Sequence, residues 1–121
     1  MPKETILIVD DSPTELRGMA RLLEQHGYEV VTAVDGDEAV AKATSAKPQL
    51  VLLDIILPKT NGFQVCRRLK TTPATRGLKV ILVSSKAQES DRFWGLRQGA
   101  DDYVTKPFTP EQLLHAVARQ L

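Results

Sequence analysis

Five short apolar runs recur along the chain: TILIVD (5–10), EVVTAV (29–34), QLVLLDII (49–56), LKVILVSS (78–85) and DDYVTK (101–106). Between them lie polar stretches with apolar residues every three or four positions. The short runs predict strands and the three- and four-residue spacing predicts helices, so the chain reads as β-α repeated five times. Ser12, Pro13 and Glu15 open the first helix as a cap, a first-turn proline and an acid placed to close a capping box, and Gly27 ends it. Its inward face is expected to be Leu16, Met19, Ala20 and Leu23. A second helix, from about Asp37 to Ala46, would bury Ala39, Val40 and Ala43. The third would turn Val65, Cys66 and Leu69 inward, the fourth Phe93, Leu96 and Ala100, and the fifth Leu113, Leu114, Val117 and Leu121. On this pattern all five helices are amphipathic.

Strands as uniformly apolar as LVLL and VILV need cover on both faces, which a parallel sheet with crossover helices provides. The expected fold is a three-layer α/β/α, doubly wound five-stranded parallel sheet. Right-handed crossovers make the flavodoxin-like strand order 2-1-3-4-5 the leading topology. With 121 residues, 42% of them hydrophobic, the chain suits one domain spanning 1–121. No apolar run approaches the roughly 18 residues that cross a bilayer, and MPKETILIVDD lacks the apolar core of a secretory signal. A cytoplasmic location without membrane contact is expected. A net charge of +1 with no basic tail argues against nucleic acid or anionic lipid as a partner. The lone Cys66 reads as a packed core thiol, and His26 and His115, without metal-ligand spacing, as solvated surface.

Chemistry gathers at the carboxyl ends of the strands, where ligands bind in open α/β sheets. Asp10 and Asp11 follow the first strand, Asp54 the third, Ser84 and Ser85 the fourth, and Lys106 the fifth. In the expected order these strands are neighbours. Adjacent aspartates repel one another and lose solvation when buried, so the pair is costly unless a cation lies between them. Three aspartates and Lys106 leave a formal charge of −2, which one divalent ion neutralises. Oxygen-only ligands suit Mg2+, with Mn2+ as a substitute, and no Cys/His cluster offers a zinc site. A carboxylate beside such an ion and a lysine can attack phosphorus. Asp54, central and isolated, is the expected nucleophile; Asp10 and Asp11 would hold the metal, and Ser84 would hydrogen-bond a phosphoryl oxygen. Singly these residues have plainer readings, as a turn and helix cap, a strand end or a solvated loop lysine. Their coincidence at adjacent strand ends favours a site.

The acids DD, the aspartate followed by Pro58 and Gly62 in DIILPKTNG, the hydroxyl residue ending VILVS, and the KP at Lys106 and Pro107 together resemble the response-regulator receiver domain, of CheY-like fold, over essentially the whole chain. The resemblance implies that Asp54 accepts a phosphoryl group from a histidine kinase. It implies that Asp11, Asp54 and the backbone carbonyl of Ile56 ligate Mg2+, with Asp10 orienting it through water. Ser84 and Lys106 would bind the phosphoryl group, and the Lys106–Pro107 peptide would be cis. Tyr103 falls at the family's switch aromatic; its ring would turn inward as Ser84 moves toward the phosphate, reshaping the face of the fourth helix, fifth strand and fifth helix for an unknown protein target. Within the family, QESDRFWGLRQGADDYVTKP resembles the stand-alone, PilH-like regulators of twitching motility more than CheY. That agrees with a chain expected to act without an output domain, in pilus motility or chemotaxis, as a monomer or weak dimer. Trp94 lies beside the apolar stripe of its helix and is read as a partner contact, against the alternative that it packs flat over the helix flank.

Two departures from CheY bear on the lifetime of an acyl phosphate. Ile56 and Lys86, each two residues beyond a site residue, stand where the family tunes hydrolysis, and Ile56 has no group to orient water. Slow self-dephosphorylation is expected, and Ser84, lacking threonine's methyl group, should weaken switch coupling somewhat. A phosphate sink or shuttle shares this chemistry without a downstream target. A haloacid-dehalogenase-like phosphatase is disfavoured because Ile56 replaces its usual second acid. A flavin carrier is the remaining alternative, and no Gly-rich phosphate loop is present.

Overall fold

The computed structural model describes residues 3–86 and 88–121. Strands and helices alternate as β1 (Thr5–Val9), α1 (Pro13–Gln25), β2 (Glu29–Ala33), α2 (Gly36–Ala46), β3 (Leu50–Asp54), α3 (Gly62–Thr71), β4 (Lys79–Ser84), α4 (Glu89–Arg97), β5 (Asp102–Thr105) and α5 (Pro110–Gln120). All strands are parallel in one sheet of order β2-β1-β3-β4-β5, the flavodoxin-like arrangement. Successive side chains on a strand point to opposite faces, which is why the apolar runs are unbroken. Ile6, Ile8, Leu52, Ile81 and Val83 meet Met19 and Leu23 of α1 and Leu113 and Val117 of α5. Leu7, Val9, Leu53, Val80 and Leu82 meet Ala39 and Ala43 of α2 and Val65, Cys66 and Leu69 of α3 on the other side.

Side-chain caps fix where the helices start. Ser12 accepts from the Glu15 amide, Asp35 from Glu38, Asn61 from Gln64 and Thr109 from Gln112. Because Asp35 is the cap, α2 begins at Gly36, one residue before the expected Asp37. The box expected at α1 is not closed by Glu15, whose carboxylate pairs with Lys106 instead.

Two inward faces need correction. In α4, Phe93 is 62% and Leu96 47% exposed, and the residue buried against the sheet is Gly95. A Cβ at Gly95 would lie 2.6 Å from Leu82 Cδ1, so the helix rests on the sheet through its backbone. The helix also stops at Arg97, and the buried Ala100 belongs to the loop after Gly99, whose φ of +101° breaks the helical path. Helix α4 therefore has no inward apolar stripe, unlike the other four. At the C-terminus Leu121 is 40% exposed, because α5 ends at Gln120 and does not carry the stripe past Val117. No described helix is long and apolar enough to cross a membrane.

Candidate functional site

Strand pairing extends just beyond β1, where the Asp10 amide donates to the Ala33 carbonyl at 3.1 Å. This turns the Asp10 side chain inward, where it is fully buried and its Oδ1 accepts from the Ser12 amide at 2.9 Å. Asp11, the next residue, faces solvent. Asp54 is the last residue of β3, buried, with Oδ1 accepting from the Ile56 amide at 3.3 Å. The loop beyond it is folded back by Gly62, whose amide donates to the Ile55 carbonyl at 2.7 Å. A Cβ at Gly62 would collide with the Asp54 carbonyl and lie 2.7 Å from Ile55 Cα, so only glycine permits this approach. Lys106 follows β5; its amide donates to the Ser84 carbonyl at 2.8 Å, and its peptide bond to Pro107 is cis.

These strand ends bring the three aspartates together with Lys106. Carboxylate oxygens of Asp10, Asp11 and Asp54 all lie within 4.8 Å of one another. Lys106 Nζ stands 3.0 Å from Asp10 Oδ2, 3.5 Å from Asp54 Oδ2 and 3.3 Å from Glu15 Oε1. Burial pushes the Asp54 carboxyl above the usual aspartate range; Lys106 opposes the rise and the neighbouring Asp10 charge adds to it. Burial also disfavours the Lys106 ammonium, but the hydrogen bond it donates to Asp10 and the charges of Asp54 and Asp10 outweigh it and hold its pKa above the ordinary lysine value. One ammonium thus faces more carboxylate charge than it can balance. The convergent all-oxygen donors fit a small hard divalent cation such as Mg2+ or Mn2+.

Other candidate residues take different places. The Ser84 hydroxyl is fully buried and accepts from the Lys86 amide at 3.2 Å, while it is Ser85 that lines the cavity over the aspartates. That cavity, about 690 Å3, opens between Asp11, Asp54, Ile56 and Lys106 and the face of α1 that carries Glu15, Gly18, Met19 and Leu22. Ile56 is an exposed apolar side chain on its rim. The Tyr103 ring is buried in this structure, with its hydroxyl donating to the Lys86 carbonyl at 2.6 Å. Burial, reinforced by Asp91, raises its phenol pKa. Trp94 is exposed on α4 between Phe93 and Leu96, and the Arg97 guanidinium lies over the Phe93 ring at 5.8 Å. Cys66 is buried and its thiol is pushed up to about 12, chiefly by burial. His26 and His115 are exposed. Glu15 is the site residue that sequence reasoning missed. Its signal was its position, one helical turn past the acid pair, and it was absorbed into the cap.

The sequence profile of the response regulator receiver domain matches residues 6–118. The chain belongs to the response regulator receiver family. This receiver is 49% identical over 112 residues to protein PilH of Pseudomonas aeruginosa, covering 93% of each chain. It is 42% identical over 108 residues to the alkaline phosphatase synthesis transcriptional regulatory protein PhoP of Bacillus subtilis, covering 89% of this chain but 44% of PhoP, so it spans under half the length of that regulator. Among solved structures it superposes on the chemotaxis response regulator CheY4 of Vibrio cholerae with a TM-score of 0.93 at 30% identity, covering 99% of this receiver and 100% of that chain. Receiver domains bind Mg2+ at an acidic cluster, and the receiver has one in Asp10, Asp11 and Asp54. Regulators of this family are typically signalling proteins rather than enzymes.

Proposed function

We propose that Asp54 accepts a phosphoryl group from a phosphohistidine of a histidine kinase, and that this switches the face of α4, β5 and α5 for a protein target. The supporting observation is the Lys106 ammonium held at 3.0 Å from Asp10 and 3.5 Å from Asp54 at the mouth of a cavity. An Asp54 carboxylate oxygen attacks phosphorus in line, the bond from phosphorus to the donor imidazole nitrogen breaks, and its electron pair leaves on the imidazole. Lys106 exchanges a carboxylate partner for a phosphoryl oxygen, where its charge offsets the negative charge that develops in the transition state. Mg2+, held by Asp11, Asp54 and the Ile56 carbonyl with Asp10 acting through water, would supply further charge neutralisation at the phosphoryl oxygens.

The Ser84 hydroxyl is the second contact of the phosphoryl group in this reading. Lys86 supports its coupling to Tyr103, because the Lys86 amide donates to Ser84 Oγ and its carbonyl accepts from the Tyr103 hydroxyl. Displacing Ser84 would therefore disturb the seat of the aromatic ring and, with it, the surface carrying the exposed Trp94. Similarity to PilH supports a role in twitching motility or chemotaxis-type signalling. The protein is taken to act in the cytoplasm, as a monomer or weak dimer. Incubation with acetyl phosphate and Mg2+ should add one phosphoryl mass to the wild-type protein and none to Asp54→Asn. Labelling that persists in the variant would refute the assignment.

A further inference from the structure

Glu15 is the acid at this site to which the proposed chemistry gives no work. It sits in the first turn of α1 with a half-exposed side chain, Oε1 lies 3.3 Å from Lys106 Nζ, and it lines the same cavity as Asp11, Asp54 and Ile56. Its carboxylate is outside the three-aspartate group whose oxygens converge closely enough to share an ion. We propose that Glu15 sets donor specificity by charge: it disfavours small, highly anionic phosphoryl donors at Asp54, an inference that rests on the function proposed above.

Charge counting gives the reason. Asp10, Asp11 and Asp54 carry −3, Lys106 carries +1 and a divalent ion would add +2, so the inner site is neutral and Glu15 leaves a net −1 at the rim. A free acyl phosphate brings its full negative charge past this carboxylate, whereas a phosphohistidine arrives with its charge set among the groups of a protein surface. Glu15 also competes for the Lys106 ammonium that the phosphoryl oxygen must win. Both effects slow a small anionic donor, and both fade with salt because the side chain is half exposed.

The test uses the full chain with saturating Mg2+ and two small donors, with labelling followed by intact mass. Acetyl phosphate is mostly a dianion at pH 7.5; Asp54 displaces acetate, which keeps the electron pair of the broken P–O bond. Phosphoramidate carries less charge; Asp54 displaces its nitrogen, which leaves with the P–N pair and a proton as ammonia. Glu15→Gln is expected to raise the second-order rate with acetyl phosphate about three- to tenfold and the rate with phosphoramidate less, with the gain shrinking at high salt. Glu15→Asp, which keeps the charge, should stay near wild type. Mg2+ affinity by titration calorimetry should change by less than about threefold, the exposed charge being screened. A slower Glu15→Gln variant, or an equal and salt-independent gain with both donors, would overturn the proposal and leave transfer to Asp54 standing. Absence of Asp54-dependent labelling in the wild-type protein would instead overturn the underlying function.

Discussion

Lys106 and Asp54 illustrate how little a single residue type says until its neighbours are known. Each would be an ordinary solvated charge in a loop, yet here burial raises the Asp54 carboxyl and three carboxylates hold Lys106 protonated. Their chemical types and strand-end positions were legible in the chain. The participation of Glu15 was not, because an acid in a first helical turn is equally well explained by the helix dipole and cap. Ile56 carries a prediction at this scale. Its exposed aliphatic side chain on the rim offers no atom to hold a water beside Asp54, so the acyl phosphate should outlast that of CheY under the same conditions. Ile56→Asn should shorten the lifetime by about threefold or more by supplying a polar group to orient that water. Decay of the phosphorylated mass after donor removal measures it, and an unchanged lifetime would reject the role.

Helix α4 is the element that sequence periodicity misassigned, and its physics is unlike that of its four companions. Spacing of 93, 96 and 100 mimics an inward stripe, but the helix ends at Arg97 and meets the sheet through Gly95. Apolar residues spaced on one helical face look the same in sequence whether that face meets the core or solvent, and only the close approach of Gly95 to Leu82 and Tyr103 decides between them. Gly95→Ala gains about 1 kcal/mol of helix propensity. It also places a methyl group 2.6 Å from Leu82 Cδ1 and 3.3 Å from Tyr103 Cδ2, an overpacking worth about 1–3 kcal/mol in a dense core. We expect net destabilisation of about 1 kcal/mol, with α4 displaced from Tyr103. A lower urea midpoint with an unchanged slope would show it, and a stability at or above wild type would contradict it.

At the scale of the whole molecule, stability and site oppose one another. A carboxyl whose pKa is raised by folding favours the native state below its unfolded pKa, and that contribution is lost as the pH rises through the folded value. Asp54 is such a group, so in EDTA at neutral pH Asp54→Asn should be more stable than wild type, with the gap closing as the pH falls through the raised folded pKa and gone once it is below about 4. A gain of 1 kcal/mol corresponds to roughly 4 °C in Tm for a domain of this size. Saturating Mg2+ should raise the Tm of wild type more than that of the variant, because the variant lacks one of the carboxylates. Thermal unfolding followed by circular dichroism checks both signs; equal Tm shifts with Mg2+ would separate Asp54 from the metal.

By itself the chain determined the five β-α units, the doubly buried strands and the residue types at the strand ends, because hydrophobic period and capping chemistry are local properties written in consecutive positions. Tertiary structure alone decided that Glu15 reaches Lys106, that Ser84 is buried while Ser85 lines the cavity, and that α4 leaves Phe93, Trp94 and Leu96 in solvent. Those outcomes depend on distances between residues far apart in sequence, which are fixed when the strands pair and the helices settle at their packing distances.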